Sequence, residues 1–181
     1  MRTNELWVFG YGSLIWNPDF PYHRRVPGTL AGFARRFWQE SPDHRGTPEQ
    51  PGRVVTLIRE PTSTCFGLLY EVTPQHVPAV LDRLDHRERG GYRRLQVVVT
   101  SEIGEISALV YLATEDNPHF AGPASNTELV SQISAARGES GDNIDYVLEL
   151  DAALARYGVI EPSLRALADR LRPTSAGETT S

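Results

Sequence analysis

The order of its periodic segments constrains this chain most. Strand-like stretches crowd the first two-thirds and helix-like stretches the last third. Leu6 to Gly10 is a short apolar run ending in glycine, which reads as a buried strand. Aromatic-rich Thr29–Gln39 predicts a second. Arg53–Ile58 and Cys65–Val72 predict two more, parted by the turn-like E-P-T-S-T, and Tyr92–Thr100 and Glu105–Thr114 a hairpin about Ile103-Gly104. One helical period interrupts them: Val77, Val80, Leu81 and Leu84 recur at i, i+3, i+4 and i+7, before a Gly90-Gly91 stop. Helices dominate later. Ser125 with Glu128 forms a capping box, a second helix is expected from Asn143 to Tyr157, and Pro162 opens a third with Leu164, Leu167 and Leu171 on one face. Strands first and helices afterwards argue for an α+β fold around a mixed sheet or barrel, not for alternating doubly wound architecture. A chain of 181 residues is expected to form one domain, over residues 1–172, with 173–181 as a frayed polar tail.

Charge and residue usage exclude several functions. The net charge of −5 supplies no basic field for nucleic acid or an anionic membrane. All basic residues are Arg and none is Lys, which removes Schiff-base chemistry and a phosphate-loop lysine. The single cysteine, Cys65, sits in an apolar alternating strand and reads as core; it permits no intrachain disulfide or thiolate cluster. His86 and Glu88 lack the H-E-x-x-H spacing, so no metal is expected. The N-terminus resembles neither a signal peptide nor an anchor, and a cytoplasmic monomer or weak oligomer is expected.

Two stretches carry candidate chemistry. V-F-G-Y-G-S-L-I-W, residues 8–16, runs from a strand into a glycine loop. It fails as a dinucleotide fingerprint because Ile15 stands at the third glycine, and as a nucleophile elbow because Tyr11 and Ile15 flank Ser13 where glycines belong. Backbone N–H groups from Gly10 to Leu14 could converge on an oxyanion or carboxylate; the competing reading is an ordinary strand-to-turn corner. L-D-H-R-E-R-G-G-Y, residues 84–92, offers Glu88 or Asp85 as a general base, against a merely solvated helix end. The loop Ser41–Gly52 holds three prolines and two glycines and carries Asp43, His44 and Arg45, a composition expected of a functional loop.

These segments, together with R-R-F-W (35–38), S-P-D-H-R-G-T-P (41–48), P-G-R-V-V-T-L (51–57), C-F-G-L-L-Y (65–70), D-N-P-H-F-A-G-P (116–123) and S-G-D-N-I-D-Y-V (140–147), resemble the ChaC-type γ-glutamylcyclotransferases, which act on glutathione. The match is collinear over about residues 6 to 150. Arg89 stands where many members have lysine, and Val147 where leucine is common. The resemblance implies a small mixed β-barrel with surrounding helices and the glycine loop at its mouth. It implies Glu88 as catalytic acid/base and Gly10, Tyr11, Gly12, Ser13, Leu14 and Ile15 as the substrate loop. The implied reaction closes the γ-glutamyl group onto its own α-amine, giving 5-oxoproline and Cys-Gly, with no cofactor and no nucleophilic serine. A glutamate with an ordinary pKa is a weak base for that step, so Glu88 is expected to be partly desolvated. Arg45, Arg53 and Tyr146 are candidates for the far end of the peptide. Competing readings are a cyclotransferase for other γ-glutamyl amino acids or amines, a non-catalytic regulator on the same fold, and an acyltransferase using Ser13.

Overall fold

The computed structural model describes residues 5–88 and 90–173. Five strands close a barrel: β1 (Leu6–Gly10), β2 (Arg24–Ser41), β3 (Gly52–Val72), β4 (Arg93–Ser101) and β5 (Gly104–Leu112), in the order β1-β3-β2-β4-β5. All pairings are antiparallel except the closing one, where β1 meets β5 in parallel at Val8 and Leu109. Four helices follow the sequence pattern: α1 (Val77–Arg87), α2 (Asn126–Ala135), α3 (Asn143–Ala155) and α4 (Pro162–Leu171). No helix among the described residues is long and apolar enough to cross a membrane.

One expectation fails instructively. E-P-T-S-T does not separate two strands; β3 runs unbroken through it. The register passes from Ala31↔Thr64 to Phe33↔Arg59, so residues 60–63 bulge out of the ladder instead of reversing the chain. A bulge absorbs surplus residues while pairing resumes on either side, which turn-like composition alone does not distinguish from a reversal. β2 likewise begins earlier than its aromatic stretch, at Arg24, because the C-terminal half of β3 supplies a partner for Arg24 to Ala31. The hairpin at Ile103-Gly104 forms as expected, and both halves of the Ser125–Glu128 capping box are present. Residues 174–181 of the expected tail, and Arg89, lie outside the described residues.

The core is continuous from barrel to helices. Val8, Phe9, Leu68, Leu69, Tyr70 and Val110 are buried on the two faces of the barrel wall, while Ile133, Val147, Leu150, Leu154 and Leu167 bury the faces of α2, α3 and α4. Each such side chain contributes roughly 1.5–3 kcal/mol relative to exposure. The consequence for function is positional. β1 delivers the glycine loop to one barrel end, where the long β2–β3 hairpin, the end of α1 and the start of α3 line the same cavity.

Candidate active site

A cavity of about 490 Å³ opens there, a volume suited to a small molecule. Tyr11, Gly12, Ser13, Leu14, Arg45, Tyr146 and Glu88 all line it. Gly10, Ile15 and Arg53 do not. Gly10 is a spacer: a Cβ there would stand 2.6 Å from the Cβ of Leu14. Ile15 packs into the core. Arg53 is spent on structure, its guanidinium donating to Gln132 Oε1 at 2.8 Å and to the carbonyls of Phe37 and Gly122 at 3.1 Å each.

The glycine loop ends in a single tight turn over Ser13–Ile15. The N–H groups of Ile15, Trp16 and Asn17 fold back onto Gly12 O and Ser13 O at 2.8 to 3.2 Å. Those of Gly12, Ser13 and Leu14 precede that ring of bonds and find no acceptor among the described residues, as at any helical N-terminus. The loop is clamped from behind. Buried Arg35 donates Nε–H to Tyr11 O at 2.8 Å, donates also to Phe66 O, and reaches Glu161 Oε1 at 2.6 Å. The Tyr11 hydroxyl donates to Tyr111 O at 2.8 Å. A Cβ on Gly12 would lie 3.1 Å from both the Tyr146 hydroxyl and Val55 Cγ2, so this glycine permits the close approach of loop and α3.

Glu88 directly follows α1. Its N–H donates to Leu84 O at 2.8 Å and its carbonyl accepts from Tyr92 N–H at 3.3 Å, which fixes its backbone. The side chain is 19% exposed. Among the described residues its carboxylate accepts no hydrogen bond within bonding distance, and its one ion-pair partner, Arg87 Nε, stands 3.8 Å off. Burial raises its pKa above the ordinary 4.5, against the lowering fields of Arg87 and His44 and with a further raise from Asp43. The negative end of the helix also disfavours ionisation. Asp85 is committed elsewhere: it pairs with Arg94 and accepts the Tyr111 hydroxyl at 2.7 Å, away from the cavity. Between the two carboxylates left open by spacing, Glu88 is the one in the cavity.

Other groups complete the wall. Arg87 donates to Ser13 Oγ at 2.7 Å and to Asn17 O at 3.1 Å, bridging the Glu88 turn to the glycine loop. His44 Nε2–H donates to Arg87 O at 3.2 Å, its Nδ1 is hydrogen-bonded with Ser140 Oγ at 3.1 Å, and that Nδ1 lies 3.1 Å from Glu139. Arg45 donates to Asp142 O at 2.9 Å and lies over the Tyr146 ring, 5.6 Å from its centroid. Loop 42–51 is therefore pinned to the segment before α3. The Tyr146 hydroxyl accepts from Val55 N–H at 3.3 Å, and burial pushes its pKa up to about 12, so it stays protonated and free to donate. Burial likewise keeps the Tyr11 and Tyr92 phenols protonated. Cys65 is buried off the cavity, its thiol pushed up to about 11, and is inert as a nucleophile. Sequence reasoning missed Arg87, whose only signal was its place beside Glu88. It also missed Gln39, which lines the cavity and donates to Asn117 Oδ1 at 3.3 Å.

The ChaC-like protein family model matches residues 6–172. The chain belongs to the ChaC family. It is 47% identical over 152 residues to a glutathione-specific γ-glutamylcyclotransferase 1 from Danio rerio, covering 81% of this chain and 78% of that one. It is 34% identical over 210 residues to the glutathione-specific γ-glutamylcyclotransferase of Saccharomyces cerevisiae, covering 88% and 90%. Among solved structures, a yeast γ-glutamyl cyclotransferase specific to glutathione superposes with a TM-score of 0.86 at 32% identity, over 93% of this chain and 96% of that one. A more distant γ-glutamyl cyclotransferase, 18% identical with a TM-score of 0.57, shares the fold. The barrel-and-helix architecture of this ChaC-family chain is thus that of the γ-glutamyl cyclotransferases.

Proposed function

We propose that this ChaC-family protein is a γ-glutamylcyclotransferase that splits glutathione into 5-oxoproline and Cys-Gly, with Glu88 as the acid/base. One observation carries the assignment of roles: a desolvated carboxylate without a hydrogen-bond donor shares a cavity with the free N–H groups of Gly12, Ser13 and Leu14. The names of its relatives supply the substrate class.

The chemistry follows from those parts. Glu88 takes a proton from the substrate α-ammonium, a transfer its raised pKa favours. The neutral amine attacks the γ-carbonyl of the same molecule and a lactam C–N bond forms. Holding the bent conformer gives the advantage of an intramolecular reaction, with effective molarities of about 10⁵–10⁸ M for well-oriented groups. The developing oxyanion sits against the Gly12–Leu14 N–H groups; one such donor is typically worth about 2.7–4 kcal/mol of barrier. Collapse breaks the γ-amide C–N bond as protonated Glu88 gives its proton to the departing cysteine amine. Glu88 then takes the second proton from the new lactam nitrogen and passes it to that amine, which leaves as an ammonium while Glu88 returns to the carboxylate. No water or external nucleophile enters, which accords with Ser13 Oγ accepting from Arg87 and facing no base. Arg45 and Tyr146, both lining the cavity, bind the far end of the peptide on this reading; Arg53, Gly10 and Ile15 act behind the wall. On this reading residues 1–172 act as one domain on a small molecule in the cytoplasm, as a monomer or weak oligomer.

Incubation with glutathione, and in parallel with γ-Glu-Ala, tests the substrate. Release of 5-oxoproline and Cys-Gly from glutathione is expected. Release from γ-Glu-Ala alone would assign the protein to other γ-glutamyl compounds.

A further inference from the structure

Gln39 lies in β2 just past the register shift that follows Arg36, two residues before Ser41, and is 1% exposed. It lines the same cavity as Glu88. Its Oε1 has no hydrogen-bond partner, alone among the buried side-chain polar atoms of the described residues. Buried amide oxygens are rarely left so, because desolvation without a donor is costly.

The orientation of that amide is dictated by backbone. Asn117 Oδ1 accepts the His119 N–H at 2.8 Å, and Asn117 Nδ2 donates to Gly90 O at 3.0 Å. The Asn117 oxygen therefore faces Gln39, and only an NH₂ can meet it: Gln39 Nε2 donates there at 3.3 Å. Turning the amide over would oppose two oxygens. Gln39 Oε1 is thus directed away from Asn117 and held unpaired. The same asparagine ties this residue to the turn that follows Glu88. There Gly91 adopts φ 89°, and a Cβ would lie 2.6 Å from Asn117 Nδ2.

We infer that Gln39 Oε1 accepts a hydrogen bond from the α-ammonium of the γ-glutamyl substrate and orients the amine for attack, an inference that rests on the cyclotransferase reading above. Among the donors of such a peptide, the ammonium is the group Glu88 must reach, and it carries three N–H bonds. One is surrendered to Glu88. The others need acceptors that steer the lone pair to the γ-carbonyl. A neutral amide oxygen performs this without trapping the amine as its cation, which a second carboxylate would do.

The test compares glutathione with its des-amino analogue, glutaryl-Cys-Gly, which lacks the amine and cannot cyclise. Gln39→Met keeps the size of the side chain and removes the acceptor; Gln39→Glu puts a carboxylate in its place, and thermal melting reports folding of both. For Gln39→Met, kcat/KM for glutathione is expected to fall roughly ten- to hundredfold, the range for losing a hydrogen bond to a charged group. The inhibition constant of the analogue should change by less than about twofold, and in Gln39→Glu the pH at which kcat/KM for glutathione rises should move upward, because the added carboxylate holds the amine as its cation. Equal losses for glutathione and the analogue would overturn the inference, since the contact would then not be with the amine; so would undiminished turnover in Gln39→Met. If Gln39→Met melts early, an unmoved pH profile in a folded Gln39→Glu protein would overturn it. Absence of 5-oxoproline release by the unaltered protein would instead overturn the cyclotransferase reading, and this inference with it.

Discussion

Replacing Gly10 by alanine probes how the glycine loop is held. Gly10 itself makes no contact with the cavity, and its φ is one that alanine can adopt, so the substitution acts through one steric contact. The added Cβ would meet Leu14 Cβ at 2.6 Å, where carbon–carbon contacts settle near about 3.5–4 Å. Neither atom can rotate away, because each is fixed by its backbone. The Ser13–Ile15 turn must therefore yield by roughly 1 Å, carrying the Gly12–Leu14 N–H groups with it. Displacement on that scale costs on the order of 100-fold in rate. Overpacking of this kind also costs about 1–3 kcal/mol of stability, or about 2–4 °C of Tm per kcal/mol in a chain of this size. The assay pairs kcat/KM for glutathione with a thermal melt. A lowered Tm with proportionately greater loss of activity is expected. Unchanged activity in a folded Gly10→Ala protein would refute the claim that loop position sets the rate.

Ser13→Ala removes only an acceptor for Arg87, so kcat should fall by at most about tenfold. Loss of a true nucleophile costs about 10⁶-fold, so a loss of that size with a trappable covalent adduct would restore the acyltransferase reading. The Glu88 pKa lies above 4.5 in the folded state, so the native protein binds the extra proton between the unfolded and folded values. Stability is then greatest below that window and is lost as pH rises through the folded pKa. Glu88→Gln should accordingly melt like the unaltered protein below that window and higher than it above the window. A Glu88→Gln protein that melts lower by the same margin on both sides would show that the carboxylate is not desolvated.

Much of the architecture was legible because it rests on local rules. Periodicity placed the hairpin about Ile103-Gly104 and the helices opened by Ser125 and Pro162, where caps and turns act within a few residues. Residues 60–63 were misread because proline and serine mark a bulge as readily as a reversal, and only the partner strand decides. The site divides the same way. Glu88 and the glycine loop were visible as short patterns. Gly10 and Arg53 resembled site residues by their neighbours in sequence, yet packing turned Gly10 to a spacing role and spent Arg53 on the carbonyls of Phe37 and Gly122. Gln39 was hidden in an aromatic strand. A bulge after Arg36 interrupts the period-two alternation before it, and the unpaired oxygen of Gln39 exists only through Asn117, far along the chain.

The most direct measurement is 5-oxoproline release from glutathione by Glu88→Gln. The variant keeps the shape of the side chain and the hydrogen bonds of its backbone, and it removes the carboxylate proposed to take and return the proton. With a native fold, turnover is predicted to fall at least about 10²–10⁴-fold, the contribution of general acid–base catalysis, while glutathione still binds. Near-native turnover by folded Glu88→Gln would contradict the account.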